Sequence, residues 1–389
     1  MSYEQAAVSA KGARRWQQGH PWIYRSDVTA RPASGAGAVR VVDQRGKPIG
    51  VALWSPASEI SLRMVDRDAR AELNQDWWRR RIGDAIERRA PLHSVANAFR
   101  LIHGEGDACP SLICDRYDRW LVVQLMSAGL ETFRDCIVDV LDELVHPAGI
   151  LARNDVALRA KEQLPVGTEL LRGSVPEEIE VNEHGVRMIA APWRGQKTGA
   201  FLDQRENRVV IGELARGRAL DCFSYHGSFA LHLARRAASV VALDVSADAL
   251  ERAGENCRRN GITNVALVVA DTFDYLKEQQ TAGARFDTIV LDPPAFAKTR
   301  ASLPAAIRGY KDINLRAMRL LSRAGLLFTA SCSFHLSKAL FLEMLHDAAA
   351  DSGRRIAIRA ITGQPLDHPE VITIPETGYL KGALLEALD

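Results

Sequence analysis

The stretch that decides the fold is DCFSYHGSF, residues 221–229, a glycine-bearing turn that overlaps the end of the short apolar run Ala219–Cys222. From this point towards the C-terminus, strand-like runs alternate with helical stretches, which is the pattern of a parallel sheet covered by helices on both faces. We therefore predict an α/β fold with a Rossmann-like domain. The predicted strands are Ala219–Cys222, Val240–Asp244, Val265–Ala270, Thr288–Leu291 and Leu326–Thr329.

Acidic residues stand at three successive strand ends, where open parallel sheets bind their ligands. Asp221 opens the turn, Asp244 ends the second strand and Asp271 follows the third. Each acid alone could simply cap a helix, but the series predicts a cofactor site. The single glycine Gly227 replaces the fuller G-x-G-x-x-G, which suits a sulfonium cofactor without a pyrophosphate. We predict that S-adenosylmethionine binds with its amino group at Asp221, its ribose at Asp244 and its adenine at Asp271 and Phe273.

The segments before this domain differ in pattern and charge. Residues 37–65 alternate as short strands and predict a small β-barrel, and residues 1–70 carry a net charge of +5, which either meets phosphate or is a solvated basic surface. Residues 71–180 carry a net charge of −6. There, Trp77 and Trp78 lie at helical spacing, and we expect them in a core and not on a base-stacking surface. A strand, a helix and a hairpin are predicted at Leu121–Leu125, Glu131–Leu144 and Ile179–Ile189.

The composition is that of a globular protein with several domains. The 389 residues are 47% hydrophobic and 25% charged, and a chain of this length exceeds a single core. The N-terminus has no apolar leader region and no long window is free of charge, so we predict neither export nor a membrane span. The six cysteines form no CxxC pair, so we predict no disulfide framework, no metal site and a cytoplasmic location.

Further motifs are spread along nearly the whole chain. They are His20–Tyr24, Ser55–Ser58, Gln196–Arg205, Asp292–Pro294, Arg308–Asn314, Ser331–Ser333, Asp367–Pro369 and Tyr379–Gly382. With them the sequence resembles class I methyltransferases, and more closely the bacterial large-subunit ribosomal RNA cytosine-C5 methyltransferase family with an N-terminal PUA domain. The blocks around Lys197–Arg205 and Cys332 are specific to this resemblance, whereas Asp-Pro-Pro occurs in many base methyltransferases.

The resemblance implies a PUA β-barrel for residues 1–70, a central α+β domain for 71–189 and a Rossmann-like class I methyltransferase domain for 190–389. It implies S-adenosylmethionine as cofactor, large-subunit (23S) ribosomal RNA as partner, and a possible homodimer. It also implies that the Lys197–Arg205 block packs beside the cofactor, although from the residues alone this loop could equally be a structural lid. The cofactor-binding residues expected together are Lys197, Thr198, Gln204, Arg205, Asp221, Phe223, Gly227, Phe229, Asp244, Asp271, Phe273, Asp292 and Pro293.

Carbon 5 of cytosine is a poor nucleophile, so its methylation requires a transient adduct in which a thiolate adds to C6. Cys332 follows the last predicted parallel strand, and Asp292 ends the neighbouring one, ~4.8 Å away in a sheet. We predict Cys332 as the nucleophile and Asp292 as the group that holds the N3/N4 edge of the base. Lys298, Lys311 and the sulfonium are candidate sources of a lowered thiol pKa. An inert cysteine in a tight turn is the alternative.

One departure from related enzymes concerns Ala295, where other RNA cytosine-C5 enzymes carry a cysteine or, in the resembled family, a lysine. The group that removes the C5 proton is therefore unassigned. Two alternative functions stay open. The first is transfer to a ring or exocyclic nitrogen, for which Asp-Pro-Pro followed directly by an aromatic is typical, although here Ala295 precedes Phe296. The second is a non-catalytic RNA-binding factor in ribosome assembly.

Overall fold

The computed structural model describes residues 3–33, 35–297 and 299–389. Lys298, one of the predicted cation sources, lies outside these residues. The chain forms two compact units, each built from three segments. Among the described residues, no helix combines the length and the apolar character needed to cross a membrane. The first unit comprises Met1–Val181, Ala190–Leu202 and Leu366–Thr377, and the second comprises Asn182–Ile189, Asp203–Pro365 and Gly378–Asp389.

The first unit begins with a six-stranded sheet in the order β2-β6-β5-β4-β1-β3, antiparallel except for the pairing of β1 with β4. Helix α1 starts after Ser9, whose hydroxyl accepts a hydrogen bond from the Gly12 amide. The elements are β1 (Gln5–Val8), α1 (Ala10–Gln17), β2 (Trp22–Ile23), β3 (Val28–Ala30), β4 (Gly37–Val42), β5 (Pro48–Trp54) and β6 (Leu62–Asp66), with a 3-10 turn at Arg25–Asp27.

A second, five-stranded sheet follows in the same unit, in the order β11-β10-β9-β8-β7. The predicted helix Glu131–Leu144 is broken at Thr132 and Phe133 into α3 and α4. The elements are α2 (Gln75–Arg88), β7 (Ala98–His103), β8 (Leu112–Tyr117), β9 (Trp120–Leu125), α3 (Ala128–Glu131), α4 (Arg134–Val145), β10 (Gly149–Arg153), α5 (Ala157–Lys161) and β11 (Thr168–Gly173), with 3-10 turns at Ala90–Ser94, Gly104–Asp107 and Pro375–Thr377.

The two sheets of the first unit share one hydrophobic core. Leu53 of β5 packs in the same buried cluster as Trp77 and Trp78 of α2, which confirms that the tryptophans are core residues. Arg63 of β6 forms a 3.0 Å ion pair with Glu162, and both side chains are buried. Residues 1–70 are therefore not an independent body, because Leu53 packs in a core with later residues and Arg63 pairs with Glu162.

The second unit contains a seven-stranded sheet in the order β16-β15-β14-β17-β18-β20-β19. Its first five strands are parallel, as predicted, and β20 lies antiparallel between β18 and β19. Helices cover both faces of the sheet. The elements are α6 (Arg205–Leu214), β14 (Arg218–Cys222), α7 (Ser228–Ala234), β15 (Ser239–Asp244), α8 (Ala247–Arg259), β16 (Val265–Val269), α9 (Thr272–Thr281), β17 (Phe286–Leu291), α10 (Leu303–Leu320), β18 (Leu321–Ser331), α11 (Lys338–Ser352), β19 (Ile356–Thr362) and β20 (Lys381–Ala387).

The division into units differs from the domain boundaries that we predicted. The hairpin of β12 (Ile179–Glu183) and β13 (Val186–Ala190) straddles the predicted boundary at residue 189. Its residues 182–189 belong to the second unit, where the Ile189 amide donates to Asn256 of α8 and the Arg187 amide donates to Asn260, which directly follows α8. Residues 366–377 return to the first unit, where Asp367 accepts a hydrogen bond from the Arg100 amide.

Candidate active site at the carboxyl ends of the strands

The seven-stranded sheet of the second unit reverses its strand order beside β14, because the chain runs outwards through β15 and β16 and then returns to β17 on the other side. Such a switch point is where open α/β sheets bind their ligands. Asp221 is the last residue but one of β14 and Asp244 ends β15, while Asp271 caps α9 after β16. All three acids therefore lie at the carboxyl edge of the sheet, as the sequence predicted.

The turn between β14 and α7 has an unusual backbone. Phe223, Tyr225 and Gly227 all have positive φ angles, of 62°, 51° and 79°. A Cβ at Gly227 would lie 3.0 Å from the Cβ of Ala253, so only glycine fits here without strain. Left-handed non-glycine residues are costly and cluster at ligand sites. The turn lies against Asp221, because its Ser224 hydroxyl donates a hydrogen bond to that carboxylate.

Asp221 is a fully buried carboxylate with one oxygen available to a ligand. Its Oδ2 accepts hydrogen bonds from the Ser224 hydroxyl at 2.6 Å and the Ala230 amide at 2.9 Å. Within the part of the chain that the structure describes, its buried Oδ1 has no hydrogen-bond partner. Burial raises the pKa of Asp221 to about 7, and the negative charges of Asp292 and Asp244 add to this while the two hydrogen bonds oppose it. A cation placed at Oδ1 would relieve this cost.

The carboxylates of Asp244 and Asp271 accept hydrogen bonds from backbone amides and can still accept others. The two oxygens of Asp244 accept one amide each, from Tyr225 at 2.9 Å and from Ser246 at 3.0 Å. A carboxylate oxygen has two lone pairs, so each can accept a further hydrogen bond. Asp271 accepts from the Phe273 amide at 2.8 Å and caps α9. Both acids therefore cap a turn or a helix, and their oxygens can still accept hydrogen bonds from a ligand.

Aromatic rings line the same edge of the sheet. The ring centroid of Phe296 lies 6.1 Å from that of Phe273, 6.4 Å from that of Phe223 and 4.6 Å from that of Tyr310. Phe223, Phe273 and Phe296 are partly exposed, whereas Tyr310 is buried. This group offers flat apolar faces next to Asp292 and Pro293, which suits planar rings.

Asp292 and Cys332 follow neighbouring strands. Strands β17 and β18 are parallel, with Leu291 opposite Thr329, so Asp292 and Cys332 directly follow them at the same edge. Gln204 donates through Nε2 to Asp292 Oδ1 at 2.7 Å and orients that carboxylate. Cys332 forms no disulfide with the described residues and is partly exposed, whereas Cys109, Cys114, Cys222 and Cys257 are buried. The edge thus combines a carboxylate, a thiol and aromatic rings.

Comparison with known proteins assigns the chain to a family. Residues 7–67 match the model of a PUA-like domain, and residues 99–371 match that of an S-adenosylmethionine-dependent methyltransferase. The chain belongs to the S-adenosylmethionine-dependent methyltransferase family. Ribosomal RNA large subunit methyltransferase I of Shewanella amazonensis is 39% identical to this methyltransferase, over 93% of this chain and 94% of that protein. The protein of the same name from Tolumonas auensis is 40% identical, over 95% and 96%.

Solved structures share the fold of this methyltransferase. An S-adenosylmethionine-dependent methyltransferase from Streptococcus mutans has a TM-score of 0.83 at 19% identity, covering 98% of this chain and 100% of that chain. A methyltransferase structure in complex with SAH has a TM-score of 0.84 at 19% identity, with the same coverage. At this identity the likeness concerns the fold alone, an α/β methyltransferase with an N-terminal PUA-like domain.

Two of the predicted cofactor residues of this methyltransferase, Phe229 and Thr198, make other contacts. Phe229 is buried, with its ring 5.5 Å from that of Phe328, so its ring belongs to the core. Lys197 and Thr198 belong to the first unit. Thr198 is buried there and its hydroxyl lies 2.5 Å from Asp115 and 2.9 Å from the Tyr117 hydroxyl. A cofactor contact by Lys197 or Thr198 stays a prediction.

The remaining predicted residues lie in the second unit. Arg205 opens α6 and is buried, with its guanidinium 3.5 Å from Glu206, and Pro293 is buried beside Asp292. Lys311, a predicted cation source for Cys332, instead forms a 2.8 Å ion pair with Asp351, and the hydrogen bond to that carboxylate raises the pKa of Lys311. Its charge is therefore directed to α11 and not to the thiol.

Several residues at the site were not assigned a role from the sequence. The Tyr310 hydroxyl lies 2.9 Å from Ser333 Oγ, and the Tyr379 hydroxyl donates to Asp203 at 2.8 Å. Lys381 of β20 is buried and donates to the Ser333 carbonyl. These residues stand in the motifs Arg308–Asn314 and Tyr379–Gly382, so the resemblance signalled their segments while no local pattern indicated their contacts.

Proposed function

We propose that this methyltransferase forms 5-methylcytosine in large-subunit (23S) ribosomal RNA through a covalent adduct at Cys332. The observation that carries the proposal is the pair formed by Cys332 after β18 and Asp292 after the adjacent β17. Methyl transfer to a nitrogen needs no thiol, whereas transfer to C5 does. The large-subunit RNA is suggested by the names of the relatives that are 39% and 40% identical.

The residues at the strand ends fit S-adenosylmethionine. The buried Oδ1 of Asp221, which has no hydrogen-bond partner among the described residues, matches the cofactor's ammonium group, and the spare lone pairs of Asp244 match the ribose hydroxyls. Asp271 and the Phe273 ring would receive the adenine, and Gly227 would admit the methionine part close to the backbone. When bound, the cofactor supplies an electrophilic methyl group.

The chain's own groups account for activation of the base. The Cys332 thiolate adds to C6 of cytosine and forms a C–S bond, while N3 takes up a proton that Asp292 holds in place. The electron pair gained at C5 would take up the methyl group that the bound cofactor supplies, with cleavage of its methyl–sulfur bond and loss of the remainder as a neutral thioether. Release of the C5 proton to solvent then breaks the C–S bond and expels the thiolate, and N3 gives up its proton as the aromatic ring is restored. Gln204 keeps the Asp292 carboxylate aimed at the base through its 2.7 Å hydrogen bond.

The N-terminal sheet would supply RNA affinity. Lys11 and Arg14 of α1 are exposed, and Arg15 stacks on the Tyr24 ring at 4.6 Å. Exposed cations on one short helix attract phosphate without reading sequence. We infer that this face holds the RNA while the second unit performs the transfer.

Nucleoside mass spectrometry tests the proposal. Wild-type protein, S-adenosylmethionine and unmodified large-subunit RNA should yield 5-methylcytosine, and Cys332→Ala should yield none while it binds the cofactor as wild type does. Cys136→Ala is the matched control, because Cys136 of α4 is also partly exposed but lies in the first unit. N-methylated bases in place of 5-methylcytosine, or an active Cys332→Ala variant, would establish nitrogen transfer instead. No methyl transfer to any RNA would favour the non-catalytic alternative.

A further inference from the structure

The C-terminal strand brings a buried lysine to the Cys332 turn. In the pairing of β18 with β20, Lys381 lies opposite Ser331, the last strand residue before Cys332. Its ammonium donates hydrogen bonds of 2.7 Å to the carbonyls of Ser333 and Tyr379. Lys381 is only 3% exposed. A buried ammonium is costly, so its placement at this turn calls for a role.

The turn itself is held from several directions. The Ser333 amide donates to Ser331 Oγ at 3.2 Å, and Ser333 Oγ accepts from the Ala297 amide at 3.1 Å. The Tyr310 hydroxyl lies 2.9 Å from Ser333 Oγ. With Lys381 on the Ser333 carbonyl, the residues on both sides of Cys332 are fixed. The residues on either side of Cys332 are therefore held by hydrogen bonds at the edge of the sheet.

We propose that Lys381 is a positioning residue for Cys332, and that its ammonium group stabilises the negative charge of the Cys332 thiolate. This inference rests on the proposed function. The thiol gives its proton to solvent and Lys381 keeps all of its protons, so no further acid or base is needed. The Lys381 ammonium is held on the carbonyl of Ser333, the residue after Cys332, and in a buried site a fixed positive charge acts on a neighbouring thiolate more strongly than it would in water.

Other ionisable groups face the turn and set the balance of charge. Asp292 at the end of β17 disfavours a thiolate, and His335 lies in the segment that follows Cys332. Burial raises the pKa of Tyr310, the hydroxyls of Ser331 and Ser333 oppose this, and the charge of Cys332 adds to it. Tyr310 is therefore neutral at pH 7, and Lys381 brings a positive charge to the turn through its hydrogen bond to the Ser333 carbonyl.

The test is the pH dependence of Cys332 alkylation, measured by iodoacetamide labelling and peptide mass spectrometry in the absence of cofactor and RNA. In wild type the midpoint for Cys332 should lie below the ordinary thiol value of ~8.5. Lys381→Met should raise it by about 1 pH unit or more, while Lys381→Arg, which keeps the charge, should stay near wild type. Lys311→Met is the matched control and should leave it unchanged. Cys136 in each sample serves as an internal reference.

Each outcome decides the inference. A wild-type midpoint at or above ~8.5 would overturn it without any variant, so misfolding of Lys381→Met cannot leave it open. Superimposable profiles for wild type and Lys381→Met would also overturn it, and a shift in His335→Ala alone would assign the effect to His335. The proposed function fails separately, if wild type forms no 5-methylcytosine. Wild-type activity with unchanged profiles would refute the role of Lys381 alone.

Discussion

Replacing Asp221 by Asn should weaken cofactor binding and stabilise the folded protein against unfolding at a pH where the Asp221 carboxylate is charged. The Asp221 carboxylate is buried, its Oδ1 has no hydrogen-bond partner among the described residues, and its pKa is raised from 3.8 to about 7. Above pH 7 the folded protein must therefore keep a desolvated negative charge that the unfolded chain exposes to water. Asn removes that charge, and its Oδ1 can still accept from Ser224 and Ala230. We expect Asp221→Asn to bind S-adenosylmethionine at least tenfold more weakly.

The magnitude follows from proton linkage. Because the folded pKa of Asp221 exceeds the unfolded one, the folded state binds more protons between pH 4 and pH 7. The wild-type free energy of unfolding therefore falls by about 1.4 kcal/mol per pH unit in this window. Asp221→Asn lacks this slope. The variant's Nδ2 lacks a partner and costs a constant ~1–3 kcal/mol. The difference between variant and wild type should thus rise by about 3 kcal/mol from pH 5 to pH 8.

Urea denaturation of both proteins without cofactor, at half-unit steps between pH 5 and pH 8, measures this difference. The exposed Asp248, replaced by Asn, is the matched control and should show no such trend. Calorimetry with S-adenosylmethionine at pH 8 supplies the binding half of the prediction. A stability difference that is independent of pH would refute the buried, raised-pKa carboxylate. Unchanged cofactor affinity would remove Asp221 from the site.

Three further predictions concern the cofactor, the first unit and the RNA. Asp244→Ala should weaken S-adenosylmethionine binding by ~1.5–3 kcal/mol in calorimetry, because paired ribose contacts are lost, and an unchanged affinity would contradict that role. Arg63→Met should lower the free energy of unfolding by about 3 kcal/mol in urea titrations, because Glu162 is left buried and unpaired; a loss under ~1 kcal/mol would count against this. The double variant Lys11→Glu and Arg14→Glu should weaken RNA binding. In filter-binding assays the slope of log K against log salt concentration should become less steep by about 1 per lost phosphate contact. A slope equal to the parental one would show that α1 does not contact the RNA phosphates.

The parallel part of the fold could be predicted because its signals are local. Short strand-like runs alternating with helical stretches indicated β14 to β18, and the structure places Asp221, Asp244 and Asp292 at the carboxyl edge as expected. The strands β19 and β20 were missed, since β20 is inserted antiparallel next to β18. Pairing between distant segments depends on the whole sheet and leaves no periodic signature. For the same reason the contact of Lys381 with the Cys332 turn was not predicted.

The loop before the second unit shows a different limit. The block Lys197–Arg205 is continuous in sequence, yet Thr198 is anchored on Asp115 in the first unit and Gln204 on Asp292 in the second. A sequence motif identifies residues that are associated with one function, but it does not show to which structural unit each of them belongs. The homodimer, the cytoplasmic location and the individual cofactor contacts stay predictions, because they concern partners and surroundings that a single chain does not contain.

The central claim is that Cys332 adds covalently to a cytosine of the large-subunit RNA. Large-subunit RNA carrying 5-fluorocytosine tests it most directly, because fluorine cannot leave as a proton does and the adduct is trapped. With S-adenosylmethionine present, wild type should give a protein–RNA species that survives a denaturing gel and maps by peptide mass spectrometry to Cys332, and Cys332→Ala should give none. An adduct at another cysteine, or methylation with no adduct at all, would contradict the account.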